Sequence, residues 1–206
     1  MVCFVCYLHP TWRYYRYLVS GSSEMSKFET YEPQPRDFWR TSDPNAFPPL
    51  APFIKGATYA EPCYGAGDLV RGFNGTADCV WTSDLQPQED NVLQKNALFL
   101  TKSDLHDCDY TITNPPFGWE MLQPLLEHLP TLKPTWLLLP ADFMHNKRAR
   151  PYMDRCSKIV SIGRMYFHKA GEDTDYTKYS RGTANNCWYL FTEEQQETRF
   201  YGWTSK

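Results

Sequence analysis

Short apolar runs recur along this chain at intervals that leave room for a helix or a long loop between them. They fall at 57–61, 79–83, 97–101, 110–113, 135–139, 164–168 and 187–191. Near-continuous runs of this length read as strands buried on both faces, and such strands alternate with helices in a mainly parallel sheet. The best helix, 120–129, places Met121, Leu122, Leu125, Leu126 and Leu129 on one stripe, with Pro124 taken to lie in its first turn. An α/β fold follows, and in such folds ligands sit beyond the carboxyl ends of the strands.

The segment before the first strand is of another kind. Between residues 33 and 52 there are six prolines, Pro33, Pro35, Pro44, Pro48, Pro49 and Pro52. They forbid a long helix or a central strand, so a wrapped, mostly irregular stretch with at most a short helix is expected. Residues 1–24 differ again: an aromatic and basic stripe from Trp12 to Tyr17 precedes the break Ser20-Gly21-Ser22-Ser23, and Met25-Ser26-Lys27 then reads like an ordinary start. The expected organisation is a dispensable extension, 1–24, and a single domain, 25–206. The alternative for the stripe is that it stacks bases and neutralises phosphates.

Composition narrows the class. The 206 residues carry a net charge of −3 and 16% aromatics, which excludes both a basic nucleic-acid coat and a disordered chain. The longest apolar run, Met1–Leu8, is far short of the roughly 20 residues a membrane span needs, so no membrane partner is expected. Seven cysteines are scattered, and Cys3-x-x-Cys6 has neither a second pair nor a spaced histidine pair. No metal site is expected, and free thiols point to a reducing cytoplasm.

Two segments carry chemistry, each at the end of an expected strand. In Glu61-Pro62-Cys63-Tyr64-Gly65-Ala66-Gly67-Asp68, Gly65 and Gly67 allow the backbone to approach a ligand where a Cβ would clash. A tight strand-to-helix turn explains the same glycines, and a dinucleotide fingerprint is excluded because Val70 stands at its third glycine. The second segment is Thr113-Asn114-Pro115-Pro116-Phe117-Gly118. Asn-Pro-Pro-aromatic arises by chance roughly once in several hundred chains of this length. On these residues the chain resembles S-adenosylmethionine-dependent N6-adenine methyltransferases, in particular the small phage-type DNA methylases, over about residues 31–191. The resemblance implies a Rossmann-like class I methyltransferase fold with a mainly parallel seven-stranded sheet and helices on both faces. It also implies S-adenosylmethionine as cofactor and DNA as partner (RNA being the alternative substrate), in the cytoplasm of a host cell if the chain is phage-encoded.

The chemistry of the tetrapeptide can be stated from its residues. Adenine N6 is a poor nucleophile because its lone pair is delocalised into the ring. Two acceptors for its hydrogens, the Asn114 side-chain oxygen and the Pro115 carbonyl, would localise that lone pair. Pro115 and Pro116 stiffen the loop that holds them, and Phe117 offers a face on which an extruded base stacks. A rigid turn with a buried ring is the alternative. The five histidines show no catalytic grouping, and no cysteine is given a role.

By the resemblance, Glu61, Pro62, Gly65 and Gly67 line the cofactor site. Asp84 takes the ribose hydroxyls, or else caps a turn. Asp104 and Leu105 meet the cofactor's adenine, with Asp107 and Asp109 as competing acids, and Thr41, in Phe38-Trp39-Arg40-Thr41, closes over the methionine end. Residues 141–170 hold seven basic side chains against two acids, whereas residues 84–109 hold six acids against two lysines. Lys147, Arg148 and Arg150 are therefore expected to follow phosphates, a solvated face being the alternative. Lys178 and Arg181 would do so from a mobile strip at 168–183. A protein glutamine substrate and an inert nucleic-acid-binding member of the fold are the remaining alternatives.

Overall fold

The computed structural model describes residues 39–105, 108–169 and 184–202. The chain divides into two units, Met1–Glu32 and Pro33–Lys206, and every described residue belongs to the second. The expected 1–24 extension, and with it Lys178 and Arg181, lie outside the described residues, as does most of the 168–183 strip.

Its centre is strand β6 (Thr135–Pro140), five of whose six residues are buried. Successive side chains of a strand point to opposite faces. Trp136 and Leu138 accordingly enter one core, while Leu137 and Leu139 enter a second. The first core is roofed by the proline-rich segment, where a 3-10 turn at Pro44–Ala46 leads to the four-residue helix α1 (Ala51–Ile54). Ala46, Leu50 and Ile54 from this roof are essentially fully buried, and the Ala46 carbonyl accepts the buried Trp188 indole N–H at 2.8 Å.

Six further strands of the sheet follow the reading from sequence to different degrees: β2 (Thr58–Glu61), β3 (Asp78–Asp84), β4 (Leu93–Gln94), β5 (Tyr110–Thr113), β7 (Cys156–Met165) and β9 (Ala184–Phe191). An eighth, β10 (Arg199–Tyr201), was not expected. It pairs parallel to β7 outside the seven, giving the order β10-β7-β9-β6-β5-β2-β3-β4. Only β9 runs against its neighbours. The sheet is thus Rossmann-like and mainly parallel, with eight strands instead of seven. A separate pair joins β1 (Trp39–Arg40) to β8 (His168–Lys169).

Two expected strands are corrected. Residues 97–101 form a 3-10 turn at Ala97–Phe99, because the Asn96 side chain accepts from the Leu98 N–H at 2.9 Å and caps it. The strand there is the shorter β4. The run 164–168 is split between the ends of β7 and β8, and β7 begins eight residues earlier, where polar Ser157, Lys158 and Ser161 break the apolar signal. Helix α3 spans Trp119–Leu132 and buries all five of the expected stripe residues. Since it starts at Trp119, Pro124 lies in its second turn, and Pro130 is also inside it. A short α2 (Asp68–Gly72) follows β2, and α4 (Arg150–Met153) precedes β7.

Candidate active site

Parallel pairing brings the two chemical segments to one edge. Tyr59 and Ala60 of β2 stand beside Tyr110 and Thr111 of β5, and Ala60 and Glu61 stand beside Trp81 and Thr82 of β3. Residues 62–67, 84–86 and 114–117 therefore leave three adjacent strands at their carboxyl ends.

The glycine loop is bent by its backbone and tied down from β3. Gly65 and Gly67 have φ of 55° and 73°, the left-handed region that favours glycine. A Cβ on Gly67 would run into the Tyr64 hydroxyl and ring, whereas one on Gly65 would meet open space. The Tyr64 N–H donates to the Ser83 carbonyl at 3.1 Å, and the Gly65 N–H donates to Asp84 Oδ2 at 2.8 Å. Asp84 Oδ1 accepts from the Gln86 N–H at 2.8 Å. Asp84 thus caps its own turn, the alternative reading, and also holds the glycine loop, with a lone pair left on each oxygen.

Glu61, at the end of β2, is only 1% exposed, and its Oε2 has no hydrogen-bond partner. Burial pushes its pKa well above the ordinary value, and the charges of Asp84 and Asp68 add to the effect. Pro62 is buried, and Cys63 is half-buried. Burial, followed by the Asp84 charge, also pushes the Cys63 thiol up.

Asn114 closes β5. Its Nδ2 donates to Thr41 Oγ1 at 2.9 Å, and its Oδ1 is buried without a partner. Pro115 is buried and Pro116 half-buried. Phe117 keeps 37% of its surface, its ring 5.6 Å from that of Phe167 and at 80° to it. The proposed acceptor and the proposed stacking face therefore lie together at the strand edge.

Thr41 belongs to a strap, residues 39–43, that the charged and polar residues of the proline-rich segment fasten down. Arg40 makes a two-point ion pair with Asp68, Nε to Oδ2 at 3.0 Å and Nη2 to Oδ1 at 2.8 Å. Burial raises the Asp68 pKa, but the hydrogen bonds and charges of Arg40 and Arg71 outweigh it and leave the carboxyl below its ordinary value. Ser42 Oγ is 2.7 Å from His168 Nδ1. Asp43 accepts from the Asn45 N–H through Oδ1 and from the Tyr166 N–H through Oδ2, both at 2.9 Å. Sequence reasoning missed Asp68, Asp43, Ser42 and Phe167. The only signal was position, since Asp68 follows Gly67 directly and Arg40 precedes Thr41.

Other expected residues are placed less simply. Asp104 accepts from the Thr101 N–H and hydroxyl through Oδ2, at 2.7 and 2.6 Å, and pairs with Lys95 through Oδ1. Burial works against ionisation, yet those partners hold its pKa down to about 2. Leu105 is fully buried against Ala60 and Leu129, so its side chain is a core group. Lys147, Arg148 and Arg150 are exposed beyond the end of β6, at the site edge. The Arg148 guanidinium lies 5.9 Å over the ring of Trp119, two residues past Phe117. The basic stretch does not continue as one strip. Arg155 and Lys158 fall at the start of β7, on the opposite sheet edge, because β7 runs parallel to β6. Among the described residues there is no group of three or more His, Cys, Asp or Glu that could hold a metal, and no helix long and apolar enough to cross a membrane.

No family model matches the chain, and no curated protein matches it. Solved structures do. A candidate RNA methyltransferase from Pyrococcus horikoshii is similar at 13% identity over 75% of this chain and 82% of that one, with a TM-score of 0.49. The precorrin-6y C5,15-methyltransferase of Geobacter metallireducens is similar at 11% identity over 72% and 87%, with a TM-score of 0.42. The M protein of the type I restriction enzyme EcoKI is similar at 15% identity over 82% of this chain and 47% of that one, with a TM-score of 0.45. At these scores a functional reading has to rest on the residues of the site.

Proposed function

We propose that the chain is an S-adenosylmethionine-dependent methyltransferase that modifies the N6 amine of adenine in DNA, the base being turned out onto loop 114–117. The observation that carries this reading is the buried, unpartnered Oδ1 of Asn114 beside the glycine loop. A buried acceptor without a donor costs free energy, and an N–H of the target base would supply the donor.

The neighbouring residues fit the cofactor. The open space at Gly65, the partnerless carboxyl oxygen of Glu61 and the spare lone pairs of Asp84 form a cradle with acceptors for a polar, cationic molecule. Glu61, Pro62, Gly65, Gly67 and Asp84 would hold it, with Asp104 supplying its remaining lone pair at the far end. When bound, S-adenosylmethionine supplies an electrophilic methyl group. Asn114 Oδ1 and the Pro115 carbonyl accept the two amine hydrogens and localise the nitrogen lone pair. The N–CH3 bond would form as the donor's S–CH3 bond breaks; neither Asn114 nor the Pro115 carbonyl titrates, so they act by orientation, and the proton lost by the methylated nitrogen would leave to solvent. Phe117 supplies the stacking face.

Lys147, Arg148 and Arg150 at the same edge favour a phosphate-bearing substrate over a protein side chain. Lys178 and Arg181 are proposed to extend that contact, and residues 1–24 to be dispensable for it. The test is transfer of tritiated methyl to unmodified DNA and RNA, followed by nucleoside analysis. N6-methyladenine from DNA is the expected product. Label confined to RNA or protein would replace the substrate, and absence of transfer with no cofactor binding would remove the reading.

A further inference from the structure

We propose that Glu61 is a neutral carboxylic acid while the site is empty, and that a cationic cofactor entering the site displaces its proton. The inference rests on the proposed S-adenosylmethionine site and adds to it a proton released on binding.

Glu61 ends β2, between β3 and β5, and is 1% exposed. A carboxylate there would lack both water and a counter-charge, the two things that make ionisation favourable. Its Oε2 has no hydrogen-bond partner, and among the described residues no cation pairs with it. The guanidinium groups of Arg40 on the strap and Arg71 on α2 both pair with Asp68 instead.

The groups around Glu61 press the same way. Burial comes first, and Asp84 at the end of β3 and Asp68 at the start of α2 add negative charge beside it. Tyr59, Cys63, Tyr64 and Cys79 also feel Glu61, and burial is the largest cause that raises each of them and keeps it uncharged. Beyond Tyr64, Glu89 accepts its hydroxyl hydrogen at 3.0 Å and stands 3.8 Å from Arg71. From β5 the nearest side chains, Thr113 and Asn114, do not titrate. Among the described residues, none supplies the positive charge that an ionised Glu61 needs.

A ligand can supply it. S-adenosylmethionine carries a sulfonium and an ammonium against a single carboxylate. Its charge favours the ionised form of Glu61, whose O–H bond breaks as the proton passes to the buffer. Affinity should then rise about tenfold per pH unit, as long as Glu61 is protonated in the free protein and ionised in the complex. Glu61→Gln copies the shape of the neutral acid and has no proton to give.

Titration calorimetry of the full chain with S-adenosylmethionine tests this from about pH 5.5 to 7, where the ligand's amine stays protonated. In buffers of different ionisation enthalpy, the heat should report release of about one proton per site. E61Q should release almost none and lose the pH dependence of affinity, with melting curves confirming that it is folded. In the protein without cofactor, the carboxyl 13C resonance of Glu61, identified by its disappearance in E61Q, should keep its protonated position up to neutral pH. A resonance already ionised at about pH 6 overturns the inference, and so does equal proton release by E61Q. If the wild-type protein binds no S-adenosylmethionine at any pH, the cofactor site fails and the release with it, and a protonated resonance then distinguishes that failure from an error about Glu61.

Discussion

Loops 62–67 and 114–117 leave neighbouring parallel strands, yet they reach their shapes by opposite means. The first bends through two left-handed glycines and is held from outside by Ser83 and Asp84. The second is stiffened from within by two proline rings, and its one polar side chain keeps an oxygen unpaired. In the proposed function one loop makes room and the other presents chemistry. The difference teaches that a site can divide binding from reaction between two backbones, so that substitutions should separate the two effects.

The largest effect should come from the presenting loop. Asn114→Ala should lower kcat about a thousandfold, with cofactor affinity by titration calorimetry within a few-fold of wild type. Equal damage to both constants would break the division. Gly67→Val should do the converse. Its Cβ would run into the Tyr64 ring at a φ of 73°, and cofactor affinity should fall about a hundredfold in a protein whose melting curve still shows a folded state. Asp84→Asn should cost about tenfold in the same constant by loosening its hold on Gly65, with kcat at saturating cofactor nearly unchanged.

A smaller effect should appear in the stability curve. The Glu61 pKa is raised on folding, so its contribution is full below the ordinary glutamate value and is lost as pH rises from there through the raised value. Glu61→Gln should therefore raise the melting temperature at neutral pH and flatten its decline from acid conditions. Smallest of all, Arg148→Ala should weaken DNA binding only a few-fold and lower the slope of log affinity against log salt by about one. No change in that slope would place Arg148 in the Trp119 stack alone.

The strands that were legible were those with continuous apolar or β-branched runs, whether buried like β2, β5, β6 and β9 or largely half-buried like β3, where Val80 is exposed. β2, β3, β5, β6 and β9 all stand close to where the apolar runs put them. The start of β7 was hidden by Ser157 and Lys158, and β10, though two of its three residues are aromatic, is too short for alternation or a run to show. Residues 97–101 misled because a cap from Asn96, a local hydrogen bond, outweighs strand propensity there. In the site, the residue types at 61–67 and 114–117 could be read because special backbone needs Gly and Pro. The partners could not. Thr41 reaches Asn114 across 73 residues and Arg40 reaches Asp68 across 28, and neither pairing leaves a trace in local spacing.

The twin rings of Pro115 and Pro116 carry one last consequence. Their ring closure, more than contact with a guest, sets the course of the turn, so the turn keeps that course when the guest departs. The conformational entropy lost in ordering it is lost once, when the chain folds, and would not be lost again at each encounter with the proposed substrate.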